Sequence, residues 1–235
     1  MSGRSYIGRA LLELAMVFLG VLGAFGVENW RISREERAMG VQYLQRLAED
    51  LRGDSATMAG NWSRALDVKM EAMRAVGPFV RGQTRSVGDT LAFMTALAAA
   101  GAGGFTAWQF QTPTMDDLRS TGNLRVIGDP ELRGAIVDYY RGLDAQAGRI
   151  RGRLPIYPMA VHALIPAEAR DAMDMEMVRG WGVDRVLSRV RSEEFQDTFN
   201  QEVNSGLFQL SVLPSLLDRT NDLLARVEAA LAALR

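Results

Sequence analysis

The sequence predicts an all-α chain: an N-terminal transmembrane helix continuing into a long stalk helix, with an extrinsic helical bundle. Three observations carry this. From Ala10 to Val27 run 18 residues of which only Glu13 is charged. Apolar residues then recur near every 3.6 positions from Leu44 to Met73, and again at 3/4 spacing from Leu210 to Leu234. No stretch sustains the period-two alternation of a half-buried strand. The expected organisation is an anchor over 1–30, a stalk helix over 31–76 and an extrinsic helical domain over 77–235 packed on the stalk.

The anchor comes first. Eighteen helical residues span about 27 Å, close to the hydrocarbon thickness of a bilayer. Tyr6 and Trp30 flank the run about 36 Å apart on a helix, so their rings can lie at the two headgroup levels, with Arg9 beside the first. The same run also fits a signal peptide, with Arg4 and Arg9 before it and Ala24-Phe25-Gly26 as a small-x-small site, or a buried core helix. Within it Glu13, Met16, Gly20, Gly23 and Val27 are spaced 3, 4, 3 and 4 and so form one stripe, with Ala24 adjoining. Small residues let a second helix approach closely in lipid, and Gly20-xxx-Ala24 is one copy of the small-xxx-small pattern. Glu13 reads either as a boundary acid that snorkels and pairs with Arg9, or as part of a helix-docking face.

The stalk follows. Leu44, Leu47, Leu51, Ser55, Met58, Trp62, Leu66, Met70 and Met73 form its apolar stripe; Gly53 and Gly60 weaken it, and Gly77-Pro78 is expected to end it. Residues 89–108, uncharged after Asp89, are too rich in Ala, Gly and Thr for a second span and predict a buried helix with a glycine loop. That loop, AGAGG at 100–104, follows a helix and not a strand, which argues against a phosphate loop. Thr114-Met115-Asp116-Asp117 resembles a capping box and Gly122 a C′ residue. Asp129-Pro130-Glu131 starts another helix with Asp129 as N-cap, carrying Leu132, Ile136, Tyr139, Tyr140 and Leu143. Pro155, Pro158 and Pro166 divide 152–206 into short pieces. The last helix carries Leu210, Leu213, Leu217, Leu224, Val227, Leu231 and Leu234, with Thr220 interrupting and Pro214 as a kink or start. It is expected to pack back along the stalk.

Two segments together resemble a bacterial family of single-span membrane proteins of unestablished function. One is ELAMVFLGVLGAFGVENW followed by RISREERAMGVQYLQRLAEDL. The other is TMDDLRSTGNLRVIGDPELRGAIVDYY, in which Leu118, Thr121, Gly122, Asn123, Leu124, Ile127, Leu132, Arg133, Tyr139 and Tyr140 match the family-like signature. The resemblance implies an anchor with a helical domain and no activity. The family's basic N-terminal tail is short here, reduced to Arg4 and Arg9. Its sense still points to an N-terminus inside a bacterial inner membrane and a periplasmic domain, because basic residues on the two flanks otherwise balance.

Composition and inventory narrow the chemistry. With 48% hydrophobic and 23% charged residues among 235, the chain can bury one sizeable core. A net charge of −1 without a basic block gives a phosphate backbone little to hold, so no nucleic-acid partner is expected. The absence of cysteine removes disulfides, thiolate metal sites and thiol nucleophiles. Nearly all positive charge is arginine, with Lys69 the only lysine, which reads as composition and not function.

His162, the only histidine, sits in PMAVHALIP and reads as a core or interface residue, not a ligand. Asp171, Asp174 and Glu176 fit no calcium loop and read as a solvated helix end. Glu193-Glu194 read as a solvated pair, Arg133 as an exposed helix residue or an ion-pair member, and Tyr139-Tyr140 as one core and one exposed ring. No enzyme, cofactor or metal is expected.

The expected function is that of a non-catalytic accessory or scaffolding subunit of a larger membrane complex, a respiratory or photosynthetic energy-transducing assembly being one candidate. Its partners would be the membrane and other membrane subunits. The alternative is a homodimeric membrane-anchored sensor or signalling module.

Overall fold

The computed structural model describes the backbone of residues 3–101, 108–151, 154–164 and 183–234, and the side chains of these except 3–15, 17, 150 and 151. Every regular element among them is helical. Helix α1 spans Gly3–Thr57, and a π-helical turn at Met58–Trp62 joins it without a break to α2, Ser63–Val80. There follow α3 (Thr90–Ala100), α4 (Pro113–Ser120), a 3₁₀ turn at Asn123–Val126, and α5 (Pro130–Arg151). Last come α6 (Ile156–Leu164), α7 (Val183–Val190) and α8 (Glu193–Ala233).

The π turn has a cause in the sequence. Met58, Trp62, Leu66 and Met70 are separated by three successive steps of four, which would carry an α-helical stripe off its face at 3.6 residues per turn. A turn closed by i→i+5 bonds holds about one residue more and keeps the stripe in line. Gly60, expected to weaken the helix, lies inside this widened turn. Ser63 Oγ donates to the Met58 carbonyl at 2.8 Å there.

Pro78 and Pro214 both lie inside helices. The stalk does not end at Gly77-Pro78: α2 runs through Pro78 and stops at a Schellman motif, in which Gln83 N–H donates to the Pro78 carbonyl at 2.8 Å and Gly82 N–H to Phe79 at 3.0 Å. Gly82 has φ +70°, the left-handed conformation that glycine takes at least cost. Of the two roles expected of Pro214, kink or start, the start is excluded, because α8 begins at Glu193 and continues past it. Its ring is exposed, so the Leu210 carbonyl left without its N–H partner can be hydrated.

Helix α8 lies antiparallel to the second half of α1 and to α2, as expected for a helix packing back on the stalk. Glu228 pairs with Arg52 at 2.6 Å, Asn221 accepts from Ser55 at 2.7 Å, and Glu202 pairs with Lys69. Its buried stripe is Leu213, Leu216, Thr220, Leu223 and Val227. Thr220 is thus central and does not interrupt, while Leu234 is exposed. On α2 packs α3, through the edge-to-face rings of Phe79 and Phe93, 5.1 Å apart. Helix α6 bridges α3 and α8: Tyr157 donates to the Leu97 carbonyl at 3.0 Å, and its ring lies 5.6 Å from Phe195 and 5.9 Å from Phe199.

All of this packing begins at Gly40. The described side chains from Met16 to Met39 are exposed, save the half-buried Glu36. Helix α1 therefore projects from the bundle as a rod.

Candidate functional site

On the projecting rod, Met16 is 58% and Val27 67% exposed, and side chains added at Gly20 or Gly23 would meet nothing within 4 Å. Phe18, Leu19, Val21, Leu22, Phe25 and Trp30 are likewise exposed. Nothing in the described chain covers this apolar surface. Glu13, Tyr6 and Arg9 lie outside the described side chains. The Arg34 guanidinium sits 5.4 Å over the Trp30 ring. Among the described residues no helix is long and apolar enough to cross a membrane. The apolar stretch they supply within 10–27 begins only at Met16, about 18 Å of helix, which is short of a bilayer.

The signature residues gather at the base of the bundle. Leu118, Ile127, Leu132, Tyr139 and Tyr140 are buried, Asn123, Leu124 and Arg133 half-buried, and Thr121 and Gly122 exposed. Both tyrosines are core, against the expectation of one exposed. Gly122 has φ +70° and ends α4 as a C′ residue. Arg133 donates to the Ile127 carbonyl at 3.1 Å, closing the 3₁₀ turn onto α5. Asp129 caps α5, accepting from Glu131 N–H at 2.8 Å and Leu132 N–H at 3.2 Å.

This unit docks on the stretch of α1 that carries the other half of the resemblance. The Val126 carbonyl lies where a Cβ at Gly40 would stand, 2.5 Å away, so only glycine permits the contact. Around it Asn123 donates to the Tyr43 hydroxyl at 3.1 Å, Arg46 pairs with Asp117 at 2.9 Å, and Arg125 pairs with Glu36. Of the first family-like segment, the part from Glu36 onward packs with the second, while the part before it projects from the bundle.

Four acidic or basic side chains are buried among the described residues; Asp50, Asp54 and Glu202 went unnoticed in the sequence, and Lys69 was read there as composition only. Asp50 accepts from Thr114 N–H at 3.3 Å, serving the N-terminus of α4 from another helix. The capping residue of α4 is Thr112, two positions before the expected one, and its hydroxyl bonds Asp116 at 2.7 Å. Asp54, 2% exposed, accepts from Gln111 N–H at 2.9 Å with Oδ1, while Oδ2 has no partner. Burial pushes this carboxyl up to about 6, the Gln111 N–H opposing and the nearby Asp50 charge adding. Lys69 and Glu202, 1% and 8% exposed, pair across α2 and α8. Each of the four stands at a 3/4 step within an apolar stripe, and that is the signal that could have found them; the stripe of α1 passes through Asp54, not the half-buried Ser55.

Above Asp50 and Asp54 stand the tyrosines of α5. Tyr139 shares a hydrogen bond of 2.8 Å with Thr220, and burial raises its phenol to about 12. Tyr140 is 1% exposed and its hydroxyl has no partner; burial, then the Asp50 charge, raises it further. Neither phenol ionises near neutral pH, so neither offers a nucleophile or base there. His162, expected in the core or at an interface, is exposed on α6 and so not in the core, and Glu193 and Glu194 are exposed in the first turn of α8. Asp171, Asp174 and Glu176 lie outside the described residues. Among the described residues no group of three or more metal-ligating side chains converges.

No protein-family model matches the chain, and no curated protein or solved structure is significantly similar to it.

Proposed function

We propose that the chain is a non-catalytic, single-span accessory or scaffolding subunit of a larger membrane assembly, docking through the small-residue face of its anchor and through its helical domain. One observation carries the reading: a rod of exposed, large apolar side chains from Met16 to Trp30, with open space beside Gly20 and Gly23. That much contiguous apolar surface is driven out of water, and lipid or a partner helix is what can cover it. The span itself rests on the sequence run Ala10–Val27, of which positions 10–15 and 17 lie outside the described side chains. In this reading Tyr6, Arg9 and Trp30 mark the two interfaces. The domain hangs in the periplasm of a bacterial inner membrane, and a respiratory or photosynthetic energy-transducing complex is one candidate for the assembly.

Mild solubilisation with an affinity tag tests this. The reading expects stoichiometric heterologous membrane subunits with the parent chain, and their loss from Gly20→Leu or Gly23→Leu variants that still fractionate with membranes. Recovery of both variants with the same partners would remove the docking face. A purely homodimeric product would favour the sensor, and a chain that washes off membranes at alkaline pH would end the anchor.

A further inference from the structure

We propose that Asp54 is a proton-responsive clasp, a buried carboxyl on the long helix that fastens residues 108–112 to the bundle. The closed arrangement is favoured when protonation removes its buried charge, even though the N–H bond alone is stronger to the carboxylate. The contact is geometric first. Asp54 sits one turn before the π turn, its Oδ1 accepts the Gln111 N–H at 2.9 Å, and its Oδ2 is buried without a partner. The Gln111 amide lies over Gly53, where an added Cβ would meet Nε2 at 2.3 Å. On the same short segment Trp108 stacks on Trp62 of the π turn, centroids 5.3 Å apart and planes within 7°, and Phe110 meets Trp62 edge-on at 5.2 Å. The clasp and the aromatic contact hold one piece of chain.

The surrounding charges leave Asp54 uncompensated. On its own helix Asp50 lies one turn away and is 8% exposed. From α5 the phenols of Tyr139 and Tyr140 lie within reach of its charge; the Asp116 charge of α4 reaches Tyr140, and that of Arg219 on α8 reaches Tyr139. Among the described residues no cation lies within ion-pair distance of Asp54 or Asp50; the pairs that form lie elsewhere. Asparagine would accept the same N–H bond without charge, so the ionisable group adds sensitivity and not strength.

The sign follows from linkage. Burial raises the folded-state value to about 6, above the ordinary carboxylate value, so the stabilising protonated form is fully present below the unfolded value and is lost as pH rises through 6.

Hydrogen–deuterium exchange of peptides covering 108–114 in the full chain tests the clasp. Corrected for intrinsic exchange, opening of this segment should fall about tenfold from pH 7 to pH 5, the ratio linkage gives for a carboxyl moved from about 4 to about 6. Asp54→Asn should abolish that dependence. Asp50→Asn, which removes the nearest like charge, should keep it with a midpoint shifted to lower pH. A parent chain that exchanges equally at both values, or an Asp54→Asn chain that keeps the response, overturns the proposal. An unshifted midpoint in Asp50→Asn assigns the response to another group and overturns it even where Asp54→Asn fails to fold.

Discussion

At the scale of single residues, the bundle is fixed by a few polar groups set into apolar stripes. Lys69 and Glu202 pair in the core, so removing the lysine takes from the buried Glu202 carboxylate the cation it pairs with. Lys69→Met should therefore lower unfolding free energy by about 3–5 kcal/mol, while Lys69→Met with Glu202→Met should recover most of it; chemical denaturation of both variants checks this. If the single variant is as stable as the parent, the pair is not buried as described. Gly40 is constrained by space alone. A methyl group there would strike the Val126 backbone, and Gly40→Ala should cost about 1–3 kcal/mol by the same measurement. Asp54 works in the opposite sense: at pH 7 Asp54→Asn should stabilise the chain by on the order of 2 kcal/mol, a gain that disappears near pH 4.

At the scale of elements, helix breaks follow from what happens to freed backbone groups. Pro214 denies the Leu210 carbonyl its partner, yet the proline ring faces solvent, Leu210 is only half-buried, and the helix continues. Pro214→Ala should restore that bond and raise the melting temperature by a few degrees; a fall would mean that the kink is needed for packing on α1. Much of this level was legible. Asp129 before Pro130, Gly122 at φ +70° and the 3/4 stripe of α5 act locally, and local rules found them. What escaped were effects of distant chain. Thr114 looked like a cap because the carboxylate that serves α4, Asp50, lies 64 residues earlier. Thr220 looked like an interruption because its partner, Tyr139, lies on another helix. Ser55 was favoured over Asp54 in the α1 stripe because an acid is not expected inside, and the one N–H group that accommodates it, that of Gln111, lies 57 residues later. The stripe of Met16, Gly20, Gly23 and Val27 on the rod was legible as a spacing, but spacing cannot say what covers it.

At the scale of the whole molecule, rod and bundle are joined but energetically separate. The described side chains before Glu36 make no contact with the bundle, so a chain starting at Arg34 should unfold at the same midpoint as the full one, within about a degree. A large drop would show that the rod folds back onto the bundle. Because α1 is uninterrupted from Gly3 to Thr57, it also fixes an azimuth. Turning about 100° per residue, the line through Met16, Gly20, Gly23 and Val27 points roughly 140° away from the Gly40 side that bears the bundle. A neighbour gripping the anchor would thus stand on one side of the axle while the bundle overhangs the other, its base about 15 Å beyond Trp30. The bundle becomes an outrigger aimed by helical phase: one residue inserted between Trp30 and Gly40 would swing it about a quarter turn, whereas seven would lift it about 10 Å with its heading nearly kept.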